Sequence, residues 1–380
     1  MSRKSYFMVS GAKNNAGDHL IKHSAINMFK ELRADRCLVH HDGWKRVSGE
    51  QLGQINASQA MLLVGGPAVQ RKMVPNVYAF EDILDKIRVP IIMVGVGWYS
   101  PEGEWHNTYR YRLNDLSKKL LQKVNESGFL SSVRDFHTQN ALMQMGYVNF
   151  IMTGCPALYR NFQSELKMDC FQKEKIKKIG ISLGVGMKDS FKMYTQMQQL
   201  VLEMKDQFIG SSIAVVFHHS PSEQYFKSHG ASKNLYKLYY KFSSWLTDKK
   251  IEWIDISGSA DKLRAFYDSV DFHIGYRVHA HIYATSIGKP SILINEDGRG
   301  KALYKVLGGV GIDAYRKYNN YTFLKVLNKF GLRYGKFFVN ENINNDIKFH
   351  INNAQNLFSR PYQEINVYKK TMTRFVEQLP

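Results

Sequence analysis

Arg277 and His279 stand two residues apart in the stretch DFHIGYRVHAHIYATSIGKP, residues 271–290. An apolar strand ends there at Ile274. A helix starts at about Val278 and stops at Gly288, ahead of Pro290. A helix N-terminus is the positive end of the helix dipole, so a cation placed there is mildly unfavourable. Two basic side chains at that position make sense if they reinforce an anion site that the free N–H groups of the helix begin. A guanidinium grips carboxylate or phosphate with a planar fork. An imidazole donates a hydrogen bond or delivers a proton near neutral pH. The competing reading pairs Arg277 with a nearby carboxylate and packs His279 in the interior. His273 and His281 lack comparable placement and are read as structural.

Other chemistry-bearing residues also follow apolar runs. The segment AKNNAGDHLI holds Asn15, Gly17 and Asp18. Asp18 either caps a helix beginning near His19 or, with Asn15, contacts a sugar hydroxyl. The segment contains neither G-x-G-x-x-G nor a Walker loop. Gly66 in GGP, and the glycines of VGVG, either let backbone approach a ligand or serve tight turns. Trp98, Tyr99 and Trp105 form a sugar-stacking wall or are partly buried loop aromatics. Arg134 sits at a strand's carboxyl end, facing a ligand or pairing with an acid, and Asp135 is placed to cap a helix. In the second half, Gly184 lies in the glycine-bearing end of GISLGVG. His218 and His219 end VVFHH, and neighbours on an extended segment point opposite ways, so one at most faces a shared ligand. That geometry, with no HExxH and no carboxylate trio nearby, gives no support for a metal.

The elements that must position these residues fall into two blocks. In the first, strands are expected at 6–11, 37–41, 60–66, 90–97, 129–135 and 149–154, alternating with amphipathic helices. Several are near-continuous Val/Ile/Leu/Met runs, as in strands buried on both faces of a parallel sheet. The polar stretch 160–178 marks a boundary. The pattern then restarts with strands at 179–186, 212–219, 251–257, 270–275 and 291–294, and Leu263, Phe266, Tyr267 and Val270 mark a helix face between two of them. This predicts an α/β protein of two doubly wound, Rossmann-like domains, residues 1–170 and 176–335, followed by a helical C-terminal extension, 336–380. Ligands of such sheets bind beyond the carboxyl ends of the strands, and the expected site is the cleft between the domains.

Composition limits the partners. Lysine and arginine outnumber acidic residues 52 to 33, giving +19. The charge is spread along the chain without a recognition helix, zinc finger or RNA-binding signature, which argues against nucleic acid. It suits acidic substrates or an anionic membrane surface. The densest cluster, KEKIKK at 173–178, is read as solvated. No run reaches the ~18 apolar residues of a membrane span and no secretory signal is recognisable, so a cytoplasmic protein is expected. Cys37, Cys155 and Cys170 have neither zinc nor disulfide spacing and are read as reduced thiols.

The ordered pieces NNAGDHLI, GGP, VGVG, SVRDFHTQNALMQMG and DFHIGYRVHAHIYATSIGKPSILI resemble the polysaccharide pyruvyl transferase family, over roughly Tyr6 to Leu307. Val278 stands in place of the usual Leu of the family's Arg-Leu-His, and Cys155 stands where many relatives carry Asp. The resemblance implies a GT-B-like pair of domains, the N-terminal one on the acceptor side and the C-terminal one on the donor side. It implies phosphoenolpyruvate as co-substrate, with no cofactor or metal. The acceptor would be a sugar of a bacterial capsule, exopolysaccharide or secondary cell-wall polymer, or its lipid-linked precursor at the inner leaflet. The product is a cyclic pyruvate ketal. On this reading Arg277 and His279 bind and activate the donor, with His218, His219 and Gly184 beside them. Asn15, Gly17, Asp18, Gly66, Trp98 and Arg134 meet the acceptor. The base is Asp18 or one of His218 and His219. Two other readings stand beside it: a GT-B glycosyltransferase using a nucleotide sugar, which needs the same two domains and a basic second-domain site, and a non-catalytic relative that binds an anionic glycan or lipid intermediate.

Overall fold

A computed structural model describes residues 4–12, 15–168, 171–188, 190–224, 233–317, 337–353 and 357–380. The chain divides into two units: residues 1–167 with 302–308 and 361–380, and residues 168–301 with 309–360. The sequence expectation set residues 336–380 apart as an extension. In the structure, the helix Ile343–Asn352 lies in the second unit and most of the helix Ser359–Glu377 lies in the first. The second helix buries Tyr362, Ile365, Met372, Phe375 and Val376, an apolar stripe that needs a core to cover it.

The first unit is built on β1 (Ser5–Ser10), β2 (Cys37–Asp42), β3 (Ala60–Val64) and β4 (Ile91–Val94), all parallel, in the order β2-β1-β3-β4. A further parallel pair, β5 (Ser131–Val133) and β6 (Phe150–Met152), reaches the β4 end through a Val96–Val133 bridge. Every residue of β3 and β4 is buried, which is why they read as unbroken apolar runs. The helix Ala16–Leu32 covers the sheet with Leu20, Ile21, Ala25, Met28 and Phe29.

The second unit contains β7 (Lys178–Ser182), β8 (Ser212–Phe217), β9 (Glu252–Asp255), β10 (Phe272–Gly275), β11 (Ser291–Asn295) and β12 (Gly311–Asp313). They form one parallel sheet in the order β12-β11-β10-β7-β8-β9. Counting β7 as first, this is the doubly wound order 3-2-1-4-5-6. The order reverses between β7 and β10, and ligands of open parallel sheets bind at such a reversal. In the first unit the reversal lies between β1 and β3. Topology alone therefore selects four loops, those after β1, β3, β7 and β10. No helix among the described residues is long and apolar enough to cross a membrane.

Candidate functional site

In the second unit, β10 ends at Gly275, whose φ of 150° side chains rarely adopt and whose added Cβ would lie 2.3 Å from the Ser182 carbonyl oxygen. That close approach seats the end of β10 against the end of β7. Tyr276 N–H then donates to the Ser182 carbonyl at 2.9 Å, and Arg277 N–H donates to Ser182 Oγ at 3.2 Å. Arg277 is the N-cap of the helix Val278–Ser286, with extended φ/ψ and no side-chain cap bond. Its Nε and Nη2 are buried and have no hydrogen-bond partner. Two guanidinium donors held away from water without a partner are costly unless an anion fills them. The nearby carboxylate within its electrostatic reach is Glu296, which leaves these two donors open. His279, the second residue of the helix, is buried.

Beneath these two residues runs a buried hydrogen-bonded chain. His281 Nδ1 and His273 Nδ1 each lie 2.7 Å from Ser291 Oγ, and His273 Nε2 lies 2.9 Å from Ser182 Oγ. Tyr267 contacts Ser182 and lies 2.8 Å from His218 Nε2. Burial pushes His218 well below the usual imidazole range, and the positive charge of Arg277 pushes it further. Burial likewise lowers His273, and takes His281 to about 4. All three stay uncharged at neutral pH. His273 and His281 therefore position Ser182 and the helix. His218, within the field of Arg277, offers a neutral imidazole. His219 follows it on the chain and is only partly buried.

Gly184 does not open the β7 loop to a ligand. A Cβ there would lie 2.1 Å from Glu296 Oε1, and the Glu296 carboxylate accepts hydrogen bonds from Val185 N–H at 2.9 Å and Gly186 N–H at 2.7 Å. The glycine is required by a side chain of this protein. Burial raises the Glu296 carboxyl, opposed by the two amides and by Arg277. Glu296 was not among the residues singled out from sequence. The signal available was an acid directly after β11, a strand end beside β10.

In the first unit a cavity of about 230 Å³ opens after β1 and β3. Ser10, Asp18, Trp44, Gly66, Gln70 and Asn76 contribute to its lining. Asp18 and Gly66 are brought together as expected, but Asn15 and Gly17 do not line the cavity. The Asn15 side chain accepts from Gly17 N–H at 3.0 Å and caps a helix that starts at Ala16, not near His19. This releases Asp18 from capping and leaves it in the first turn, where the dipole favours a carboxylate. Lys13 and Asn14 of that motif lie outside the described residues, as does Cys170.

One acceptor candidate is corrected. Trp98 is 0% exposed, stacked on His137 with ring centroids 5.5 Å apart and against Tyr111 at 5.4 Å, so it cannot face a sugar. Tyr99 and Trp105 of the same loop are the exposed ones. Arg134 is buried against Gly97, where a Cβ would lie 2.0 Å from its Nε; it pairs with Asp135 at 3.4 Å, and its Nη2 is buried without a hydrogen-bond partner. Asp135 caps its helix as read, accepting from Thr138 N–H at 2.7 Å. Among the described residues, no group of three or more His, Cys, Asp or Glu could hold a metal ion. Cys37 is exposed and Cys155 buried.

Two parallel, Rossmann-like α/β units, with Arg277 and its two unpartnered buried donors at one strand-order reversal, define a GT-B-like fold. Solved structures of that fold match over nearly the whole chain. They include a UDP-N-acetylglucosamine 2-epimerase (TM-score 0.51, 12% identity, covering 100% of this chain and 96% of that one). They also include the Neisseria meningitidis enzyme bound to UDP-GlcNAc (TM-score 0.50, 11% identity, 97% and 98%). A Listeria monocytogenes protein assigned as a UDP-N-acetylglucosamine 2-epimerase scores 0.54, at 9% identity over 98% and 94%. At these identities the likeness concerns the fold alone. No curated protein sequence matches at a significant level. The sequence model described as polysaccharide pyruvyl transferase matches residues 15–298. The chain belongs to the polysaccharide pyruvyl transferase family.

Proposed function

We propose that this chain transfers the enolpyruvyl-derived group of phosphoenolpyruvate to two hydroxyls of a sugar in a surface polysaccharide or its lipid-linked precursor. The observation that carries this reading is Arg277, whose Nε and Nη2 are buried and open beside the helix N-terminus. Such a fork suits a small metabolite with both a carboxylate and a phosphate. The donor's C3 takes a proton, which leaves an oxocarbenium-like centre at C2. One sugar hydroxyl adds to C2 and gives up its proton. The C2–O bond to phosphate breaks, and the second hydroxyl closes the ketal on C2 and gives up its proton, so that of the two hydroxyl protons one balances that delivered to C3 and the other leaves with phosphate.

Arg277 clamps the donor and stabilises the departing phosphate. His279 is assigned the proton delivered to C3 or the orientation of the phosphate, and His218 a neutral hydrogen bond to the donor. The cavity of the first unit takes the acceptor, with Asp18 as the base for a hydroxyl. His219 is the alternative base. The positive charge of the chain, +19, supports a second element of the proposal, peripheral attraction to an anionic membrane surface that presents a lipid-linked acceptor. The test is incubation with phosphoenolpyruvate and a panel of lipid-linked or synthetic glycans. Phosphate release and a pyruvyl mass added to one glycan are expected. Transfer from a nucleotide sugar, with phosphoenolpyruvate inert, would replace this reading by a glycosyltransferase.

A further inference from the structure

In a doubly wound unit, the loop after the first strand is where backbone N–H groups ordinarily hold phosphate. Here that loop is Leu183–Gly186. Its geometry is that of an anion cradle: Val185 N–H and Gly186 N–H converge on one point, and Gly184 leaves room for the guest. The guest is the Glu296 carboxylate, which reaches from the end of β11 past the end of β10 to the loop after β7. Tyr315 secures the same residue by donating its hydroxyl to the Glu296 carbonyl, and Asp297, the next residue, is occupied by Arg299 at 2.7 Å. Arg277 lies within electrostatic reach of Glu296, yet its Nε and Nη2 stay open. The unit thus has an amide cradle filled by its own side chain and, within electrostatic reach of it, an arginine with two open donors.

We propose that Glu296 is a built-in stopper that determines donor specificity: it fills the amide cradle after β7 and limits the site to a donor with one phosphate, refusing a diphosphate. A donor that reaches only Arg277 and the helix end never contests the cradle. A diphosphate extending from Arg277 toward β7 meets two amides already engaged and a like charge. The proposal rests on the phosphoenolpyruvate reading and adds to it a reason why the same fold would reject nucleotide sugars.

Isothermal titration of the full-length protein tests it, with phosphoenolpyruvate, orthophosphate and pyrophosphate as probes against wild type, Glu296→Ala and Glu296→Gln. Wild type is expected to favour phosphoenolpyruvate over pyrophosphate. Vacating two amide donors in Glu296→Ala is expected to tighten pyrophosphate binding by about tenfold or more, and phosphoenolpyruvate by a clearly smaller factor that reflects only the loss of a carboxylate near Arg277. Glu296→Gln keeps the volume and removes the charge, so a smaller gain for pyrophosphate is expected, and this variant decides the matter if the alanine protein does not fold. Pyrophosphate affinity unchanged in every folded variant overturns the proposal, and so does an equal gain for phosphoenolpyruvate and pyrophosphate. If wild type ignores phosphoenolpyruvate while Glu296→Ala still gains pyrophosphate, the donor reading fails and the stopper stands.

Discussion

Replacing Arg277 by alanine separates a ligand clamp from a structural arginine, because the two make opposite demands on stability. Two of its guanidinium donors are buried and open. Hydrogen bonds to a charged group contribute about 1.5–3 kcal/mol each, so filling both is worth about 3–6 kcal/mol to a bound anion. At about 1.4 kcal/mol per tenfold, Arg277→Ala should lower kcat/KM for phosphoenolpyruvate by about 10²–10⁴. Arg277→Lys keeps the charge without the fork and should recover only part of it. The folded protein without ligand loses no hydrogen bond from Nε or Nη2, and the cost of burying the charge disappears. Its melting temperature should therefore hold or rise. A third readout is local. Arg277 is one of the charges holding the His218 imidazole down, so in the alanine variant the ring should titrate higher, visible by NMR of the histidine protons. Coupled phosphate release and a thermal melt complete the set. An alanine protein that melts several degrees lower and turns over within about threefold of wild type would show the guanidinium to be structural, and the donor assignment would go with it.

Asp18→Asn should lower turnover by about 10²–10⁴ if the carboxylate takes the acceptor's proton, with phosphoenolpyruvate affinity unchanged by calorimetry; an intact rate would move the base elsewhere. Acid should weaken the second unit: the unfolded chain binds protons on His281 near 6.5, while the folded one refuses them down to about 4. Stability is then full above 6.5 and falls as pH drops through that window, by about 1.4 kcal/mol per pH unit for that histidine, and His218 and His273 add in the same direction. A chemical melt that is flat from pH 7 to 4.5 would contradict the buried network. Gly184→Ala should cost about 1–3 kcal/mol by driving a methyl into the Glu296 carboxylate, and Glu296→Ala should relieve that cost in the double variant. With anionic liposomes, the protein should float at low salt and dissociate as salt rises; failure to bind at low salt would remove the membrane element of the proposal.

The parallel architecture was legible because β3, β4, β8, β10 and β11 are buried along most of their length and write that burial as apolar runs. The position of Arg277 at a helix start was legible for a different reason: the strand end at Ile274 and the Gly288–Pro290 stop bracket the helix Val278–Ser286, and a cation at its start contradicts the local electrostatic preference. The capping residue of the first helix was misread because Asn15 and Asp18 both suit an N-cap, and only the backbone decides between them. Trp98 was misassigned because a strand end has two faces and its spacing does not say which faces solvent. Glu296 was missed altogether. It acts on a loop more than a hundred residues earlier in the chain, and only the strand order β11-β10-β7 makes them neighbours.

The return of the last helix to the first unit has a consequence for biosynthesis. Arg33 Nη1 donates to the carbonyls of Val376 at 3.2 Å and Leu379 at 2.8 Å, and Lys369 Nζ donates to Asn161 O at 3.1 Å. A ribosome makes residues 1–167 first, yet that stretch waits for the final twenty or so residues before its surface is covered. The second unit is synthesised whole in the interval. A fragment ending near residue 167 should therefore be the aggregation-prone piece, and supplying the peptide 359–380 in trans should restore its solubility.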